Sequence, residues 1–281
     1  MLGRRRPGAR RVRIPRAVNP TRRGPADAAL LLLVSAVVAL FALPLVGLAL
    51  RAPWGELAAR LQSETVREAL WLSAWCATAA TACSLVLGLP VAVWLAAGAG
   101  PVRSAVRVLV TLPMVLPPVV GGIALLVAFG RNGIVGAWLL QWFGIALPFT
   151  SAGVVLAATW VAMPFFVLTA EAGLRSFDRR FADAASTLGA GRWRTFRTVT
   201  LPLVLPSLRA GLVVAWARAL GEFGATITFA GNLAGHTRTM PLAVYVALES
   251  EPEAAIVLSL LLVALSAALL FALRDRWWPA R

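Results

Sequence analysis

The chain contains no lysine, one histidine, one tyrosine and two cysteines in 281 residues, and only twelve acids stand against 27 arginines. Each scarcity removes a class of function. The phosphate-binding loop of P-loop ATPases needs a lysine to reach the nucleotide phosphates. This chain cannot contain that motif, so any ATP hydrolysis linked to it takes place on another polypeptide. The single His236 cannot make a His-based metal site alone and reads as a loop residue; no Cys pair has zinc spacing. No H-E-x-x-H motif, Ser/His/Asp set or paired intramembrane carboxylates can be assembled either, which argues against a membrane-embedded enzyme. Cys76 and Cys83 fall on one apolar helix, about 10 Å apart at the α-helical rise, too far for a disulfide within it. They read as small buried residues.

What is present is apolar. The sequence is 59% hydrophobic with a mean hydropathy of +0.79, which places it among integral membrane proteins. The formal charge is +15. A basic surplus of this size can signal nucleic acid, but the arginines sit in the gaps between apolar runs, where membrane topology places them. No nucleic-acid partner is expected; membrane lipid is.

Residues 1–27 are rich in Arg, Pro and Gly and cannot bury a core, so this tail is expected to be disordered. The apolar run 28–50 exceeds a signal-peptide core and suits a retained first span, with Pro44 near its outer end. Five more spans are expected, over about 69–97, 106–129, 151–172, 208–230 and 254–273. The third is interrupted by Pro113, Pro117 and Pro118, and Pro164 lies inside the fourth. The piece 135–143 reads as a short interfacial helix. The fold class is therefore all-α, an integral membrane protein with six transmembrane helices and both termini on one side.

Arginine counts choose the side. Nine lie in the N-terminal tail, two in 98–107, seven in 173–209 and three in the C-terminal tail. The opposite gaps hold only Arg51, Arg60, Arg67, Arg131 and Arg238, an excess of 21 to 5. By the positive-inside rule both termini and the 173–209 connection are cytoplasmic.

That connection holds the most patterned stretch of the chain, 181–211. Asp178 reads as an N-cap and Asp183 as an acid in the first turns of a helix. Ala184 and Ala185 are strong helix formers without bulk, and Gly189 ends the helix as a C′ glycine. Arg192, Trp193, Arg194, Phe196 and Arg197 make a second, amphipathic segment near the headgroups. Leu201-Pro202 and Leu205-Pro206 are expected to break and re-aim the chain before the fifth span. A short helix with a smooth Ala/Gly face and charged flanks suits insertion into a groove of another protein; the alternative is an ordinary cytoplasmic loop.

The spacing Asp183-Ala184-Ala185, three residues, Gly189, nine residues, Val199-Thr200-Leu201-Pro202 resembles the EAA loop of bacterial ABC importer permeases. The usual Glu is Asp183 here and the usual Ile is Val199. The resemblance covers residues 64–272 and implies a type-1 permease core. The implied organisation is a tail (1–27), a first transmembrane helix with an external loop (28–63), the permease domain (64–272) with its coupling loop (173–207), and a cytoplasmic tail (273–281). The resemblance further implies that Asp183, Ala184, Ala185, Leu188, Gly189, Val199, Leu201 and Pro202 couple to ABC ATPase subunits. It implies that ATP and Mg belong to that partner, and that this chain carries no cofactor and no metal. A second permease copy in a homodimer and an extracytoplasmic oxyanion-binding protein are the other implied partners.

Within the family, the stretches 112–122, Arg131-Asn132-Gly133, 218–226 and Ala230-Gly231-Asn232 look most like molybdate permeases. Sulfate permeases are similar at several of these positions. Molybdate is thus the expected substrate, with tungstate, sulfate and thiosulfate as alternatives. An ATP-independent channel or secondary carrier is the competing class. In the spans, Arg218 and Glu222 are four apart and are expected to share a face of the fifth helix. They read either as a structural ion pair or as part of an anion gate. Pro117, Pro118 and Gly121 suggest a kinked helix that lines the pathway, against a kink that only serves packing. Thr111, Thr226, Thr228 and Asn232 could supply neutral donors to a passing oxyanion.

Overall fold

The computed structural model describes residues 25–178 and 180–277, all of them in helices, turns and connections, with no strand among the described residues. The expected disordered tail lies almost wholly outside them, as do the last four residues of the C-terminal tail. The chain forms two compact units, one up to Leu50 and one from Arg51 onward.

The described part of the first unit is α1, Pro25–Leu50. At 1.5 Å per residue its 26 residues reach about 39 Å, enough to cross a bilayer. Asp27 sits in its first turn, where a negative charge complements the helix dipole.

The second unit contains α2 (Leu57–Leu61), α3 (Glu64–Ala96), α4 (Pro101–Val115), α5 (Pro118–Phe129), α6 (Gly136–Phe143) and α7 (Ser151–Ser176). There follow α8 (Arg180–Thr187), α9 (Arg192–Thr195), a π turn over Phe196–Thr200, α10 (Leu201–Leu220), α11 (Gly224–Phe229), α12 (Met240–Ser250) and α13 (Pro252–Trp277). The core is built where α3, α7 and α10 pack together. On α3 the buried positions Cys76, Ala80, Ser84, Gly88, Ala92 and Leu95 recur every three or four residues, which lines them on one face. Their smallness lets the backbones approach: a Cβ on Gly88 would lie 3.0 Å from both Phe166 and Val167 of α7. Close contact through small residues is how helices associate where lipid offers no hydrophobic drive. Cys76 is buried and Cys83 half-buried, both free thiols on α3.

Five stretches are long and apolar enough to cross a membrane: 27–50, 64–96, 151–176, 192–220 and 252–271. The α4–α5 pair makes a sixth if counted as one span. Two expectations fail in detail. The third span is no kinked helix: α4 and α5 meet at 119°. The residue before a proline is driven to extended backbone, and here the rule acts twice. Leu116 (φ −66°, ψ 138°) precedes Pro117, and Pro117 (φ −54°, ψ 131°) precedes Pro118.

The fifth span is also displaced. The helix expected over 208–230 begins earlier and stops at Leu220, and a separate short helix starts at Gly224. The reason for the stop is local. The Gly221 and Glu222 N–H groups close back on Ala217 and Ala219, and the Glu222 carboxylate accepts from the Ala225 N–H at 2.8 Å. Nor do Pro202 and Pro206 break the chain. Pro202 stands in the first turn of α10, Pro206 lies inside it, and 192–220 runs as one stretch. The π turn just before Pro202 has Leu201 N–H bonded to Phe196 O, one residue further back than in an α-helix. A proline supplies no N–H, so a ladder that skips one carbonyl here accommodates the missing donor.

Candidate functional site

Two groups of residues stand out, one beyond the end of α7 and one around the break between α4 and α5. In the first, Phe177 is extended and the Asp178 carboxylate accepts from the Arg180 N–H at 3.0 Å, capping α8. At the other end Gly189 has φ +79°. The Ala190 N–H reaches Ala185 O and the Gly189 N–H reaches Ser186 O, both at 3.0 Å. This is the Schellman closure, for which glycine is the favoured residue. Capped at both ends, an eight-residue helix that would fray alone is defined.

The eight residues of the sequence motif divide in two. Asp183, Ala184, Leu188 and Gly189 are exposed, with Leu188 at 88%, and Ala185 is half-buried. Val199 and Leu201 are half-buried, and Leu201 packs against the α3–α7–α10 core. Pro202 is exposed at the α10 entry. Between the two halves, Trp193 stacks on Phe196 with ring centroids 5.9 Å apart.

In the second group, α5 and α11 lie close against each other, with glycine at two of the contacts. A Cβ on Gly224 would stand 2.5 Å from the Pro118 Cβ, and one on Gly122 would stand 2.6 Å from the Thr228 Cβ. Gly121 is covered by the Trp160 ring. Arg218 and Glu222 meet as expected, at 2.8 Å, but across the end of α10 rather than along one helix face. Glu222 is 2% exposed. Its Oε1 caps α11 and its Oε2 faces the guanidinium off the line of a hydrogen bond, an ionic contact. The Arg218 side chain, 29% exposed, lines a cleft of about 120 Å³ together with Pro113, Leu116, Pro118 and Trp160.

The neutral donors are dispersed. Thr111 donates to Arg107 O of its own helix at 2.9 Å, and Thr228 to Gly224 O at 2.8 Å. Thr226 is buried with no partner for its hydroxyl. Asn232 lies in the 230–239 connection, where its Oδ1 accepts from Arg238 Nε at 2.8 Å. In the same connection His236 sits, its carbonyl accepting from the Ser151 hydroxyl at 2.7 Å. No three His, Cys, Asp or Glu side chains gather in a way that could hold a metal among the described residues.

Sequence reasoning missed Glu171. It is 4% exposed in the last turns of α7, held by Arg107 of α4 and by Arg175 one turn on. The Glu171/Arg175 spacing of four was visible; the partner 64 residues away was not. Outside the spans, Arg60 bridges Glu56 at 2.9 Å and Glu251 at 3.2 Å. The hydrogen bond Arg60 donates to Glu56 raises its guanidinium above its ordinary value, with Glu251 adding to it against some desolvation. As an exposed cluster it ties the α12–α13 junction to α2 and contributes little stability.

Residues 85–278 match the family described as binding-protein-dependent transport system inner membrane component. Over 226 residues the chain is 46% identical to the molybdenum transport system permease protein ModB of Mycobacterium tuberculosis, covering 80% of this chain and 85% of that protein. A probable molybdenum ABC transporter permease of Haloferax volcanii is 36% identical over 266 residues, 94% of each chain. Among solved structures, a chain of a bacterial ABC transporter that imports the acidic polysaccharide alginate superposes with a TM-score of 0.69. The match covers 91% of this chain and 97% of that one at 19% identity, a likeness of fold.

Proposed function

The chain belongs to the inner membrane components of binding-protein-dependent transport systems, and on that premise we propose that it is the permease subunit that carries molybdate through an ATP-driven importer. As a permease subunit it is not an enzyme; hydrolysis belongs to a separate ATPase, in keeping with the missing lysine. The observation that carries the substrate is the 46% identity to molybdenum permeases over 226 residues. Tungstate or sulfate would use the same path chemistry and are the alternatives within the family.

In this reading α4 and α5 together form one of six spans, and both termini and α8 face the cytoplasm, as the arginine excess of 21 to 5 supports. ATPase subunits grip Asp183, Ala184, Ala185, Leu188 and Gly189. Val199, Leu201 and Pro202 join that grip to the entry of α10. ATP and Mg²⁺ stay with the ATPase. The path runs between two copies of the chain, lined near the α4–α5 break by Pro117, Pro118 and Arg218, with buried Gly121 and Thr226 packed behind that wall and Thr111 and Asn232 toward its two ends. Glu222 repels a dianion, so its task is to hold Arg218 and the start of α11. A molybdate-binding protein docks on the 131–150 and 231–250 connections. Closure of the ATPases draws the two α8 helices together and shifts the pair between inward-open and outward-open states, driven by contacts that differ between them.

The test is reconstitution in vesicles with the ATPase and the binding protein, measuring uptake of molybdate, tungstate and sulfate side by side. ATP-driven uptake with molybdate preferred is expected. A preference for sulfate overturns the substrate, and uptake without the ATPase overturns the mechanism.

A further inference from the structure

The ends of α3, α4 and α7 are joined by charged side chains that neither the motif nor the cleft uses. Glu171 is buried one turn before α7 ends. A carboxylate there is costly unless paired and hydrogen-bonded, and both its oxygens are engaged. Arg107 of α4 donates with Nε to Oε2 at 3.2 Å and with a second nitrogen to Oε1. Arg175 donates with Nε to Oε1 at 2.8 Å and passes its other arm to Leu95 O at 3.1 Å. Leu95 lies in the last turn of α3, whose carbonyls have no partner within the helix. One carboxylate thus gathers three helix ends.

We propose that the Glu171–Arg107 bridge is the joint through which displacement of α8 reaches the broken α4–α5 pair, making both residues positioning residues for transport. The inference rests on the reading of α8 as the ATPase-gripped helix.

Three features support it. The first is place: α8 begins at Arg180, so a pull on α8 acts on the turn of α7 that holds Glu171. The second is leverage. Besides this bridge, α4 is held at its start by Arg103, which donates to Trp94 O at 3.0 Å, and rests on the core through Val106 and Val110, while Val102, Val108 and Leu109 face outward. From Arg107 it runs as an unbroken helix to Val115, beside the break and the Arg218 cleft. A tilt at Arg107 is therefore delivered at Leu116. The third is reversibility. If Arg107 lets go, Glu171 keeps Arg175, so no buried charge is orphaned. The Arg107 side chain, 35% exposed, can then reach solvent. Two discrete arrangements, with Glu171 paired in both, are what a moving joint requires.

The experiment uses the complete complex of this chain, ATPase and binding protein in vesicles, and reads molybdate taken up per ATP hydrolysed. Arg107→Gln is expected to assemble and hydrolyse ATP within about twofold of the unaltered complex while uptake per ATP falls about tenfold, a usual size for a coupling term. Arg107→Glu should be worse. Arg107→Lys, which keeps a cation opposite Glu171, should recover most of the ratio. An unchanged ratio in Arg107→Gln overturns the proposal. So does Arg107→Lys no better than Arg107→Gln. Should these variants fail to assemble, spin labels at Ser104→Cys and Ala172→Cys, with Cys76 and Cys83 replaced by Ala, decide it. Their separation is expected to change when ATP is added, and a constant separation overturns the joint. If the unaltered complex moves no molybdate, the transport reading fails, and the label distances still judge the joint.

Discussion

Two proline pairs in this chain have opposite effects. Pro117 and Pro118 are adjacent and turn the chain by 119°. Pro202 and Pro206 are four apart, and the helix runs through them. Adjacent prolines force two successive residues, Leu116 and Pro117, into extended backbone. Prolines four apart each disfavour helix only at the single residue before them, and Leu201 stays helical all the same at φ −60°, ψ −46°. They remove one N–H each, and a π turn placed just before the first accommodates the gap in the ladder. Spacing, more than proline content, decides between a hinge and a helix. The contrast matches the proposed roles: a bent pair beside a cleft, and a continuous stretch that carries the coupling segment into the membrane.

The sharpest way to break this comparison is Pro117→Ala with Pro118→Ala. The 119° bend should open toward one helix, and the distance from residue 101 to 129 should grow from about 20 Å toward about 40 Å. Spin labels at the two ends read this directly, and transport should be lost. A retained bend would move its cause from the prolines to the α5–α11 contact. Next in size is Gly189→Trp. The membrane helices should insert as before, but the ATPase should no longer co-purify, because bulk is added at a φ of +79° beside exposed Leu188. Normal coupled uptake in that variant would remove α8 from the mechanism.

A smaller effect belongs to the break after α10. Glu222→Ala loses both the α11 cap and the Arg218 contact, while Glu222→Gln keeps an acceptor for the Ala225 N–H and loses only the charge. Thermal unfolding in detergent should show Glu222→Ala destabilised by about 3 kcal/mol and Glu222→Gln by about half that. Equal losses would mean that the cap contributes nothing. The smallest effect is expected at Pro206→Ala. The helix is already continuous there, so stability should change by no more than about 1 kcal/mol and uptake should persist. A large loss would show that the π turn depends on both prolines.

Much of this organisation can be read directly from the residues. Long apolar runs separated by arginine-bearing gaps located the spanning stretches, because lipid demands continuous apolar length. Asp178 and Gly189 marked the two ends of α8, because caps act over three or four residues and are written locally. The end of α10 escaped notice. Gly221, Glu222 and Gly224 interrupt the apolar run only briefly, while the chain is stopped by a side chain, Glu222, turning to cap the next helix. The division of the motif was equally hidden: nothing local distinguishes Leu201, packed on the core, from Leu188, left in the open.

By itself, then, the sequence determined the membrane class, the absence of a P-loop, the spaced 183–202 motif and the family, since composition and short-range spacing are properties of the chain alone. Tertiary structure alone decided how sharply the third span breaks, that Gly122 and Gly224 bring α5 onto α11, and that Glu171 meets Arg107. Those outcomes depend on which distant segments share a volume. A buried carboxylate on one helix finds its partner 64 residues away only after the helices have packed.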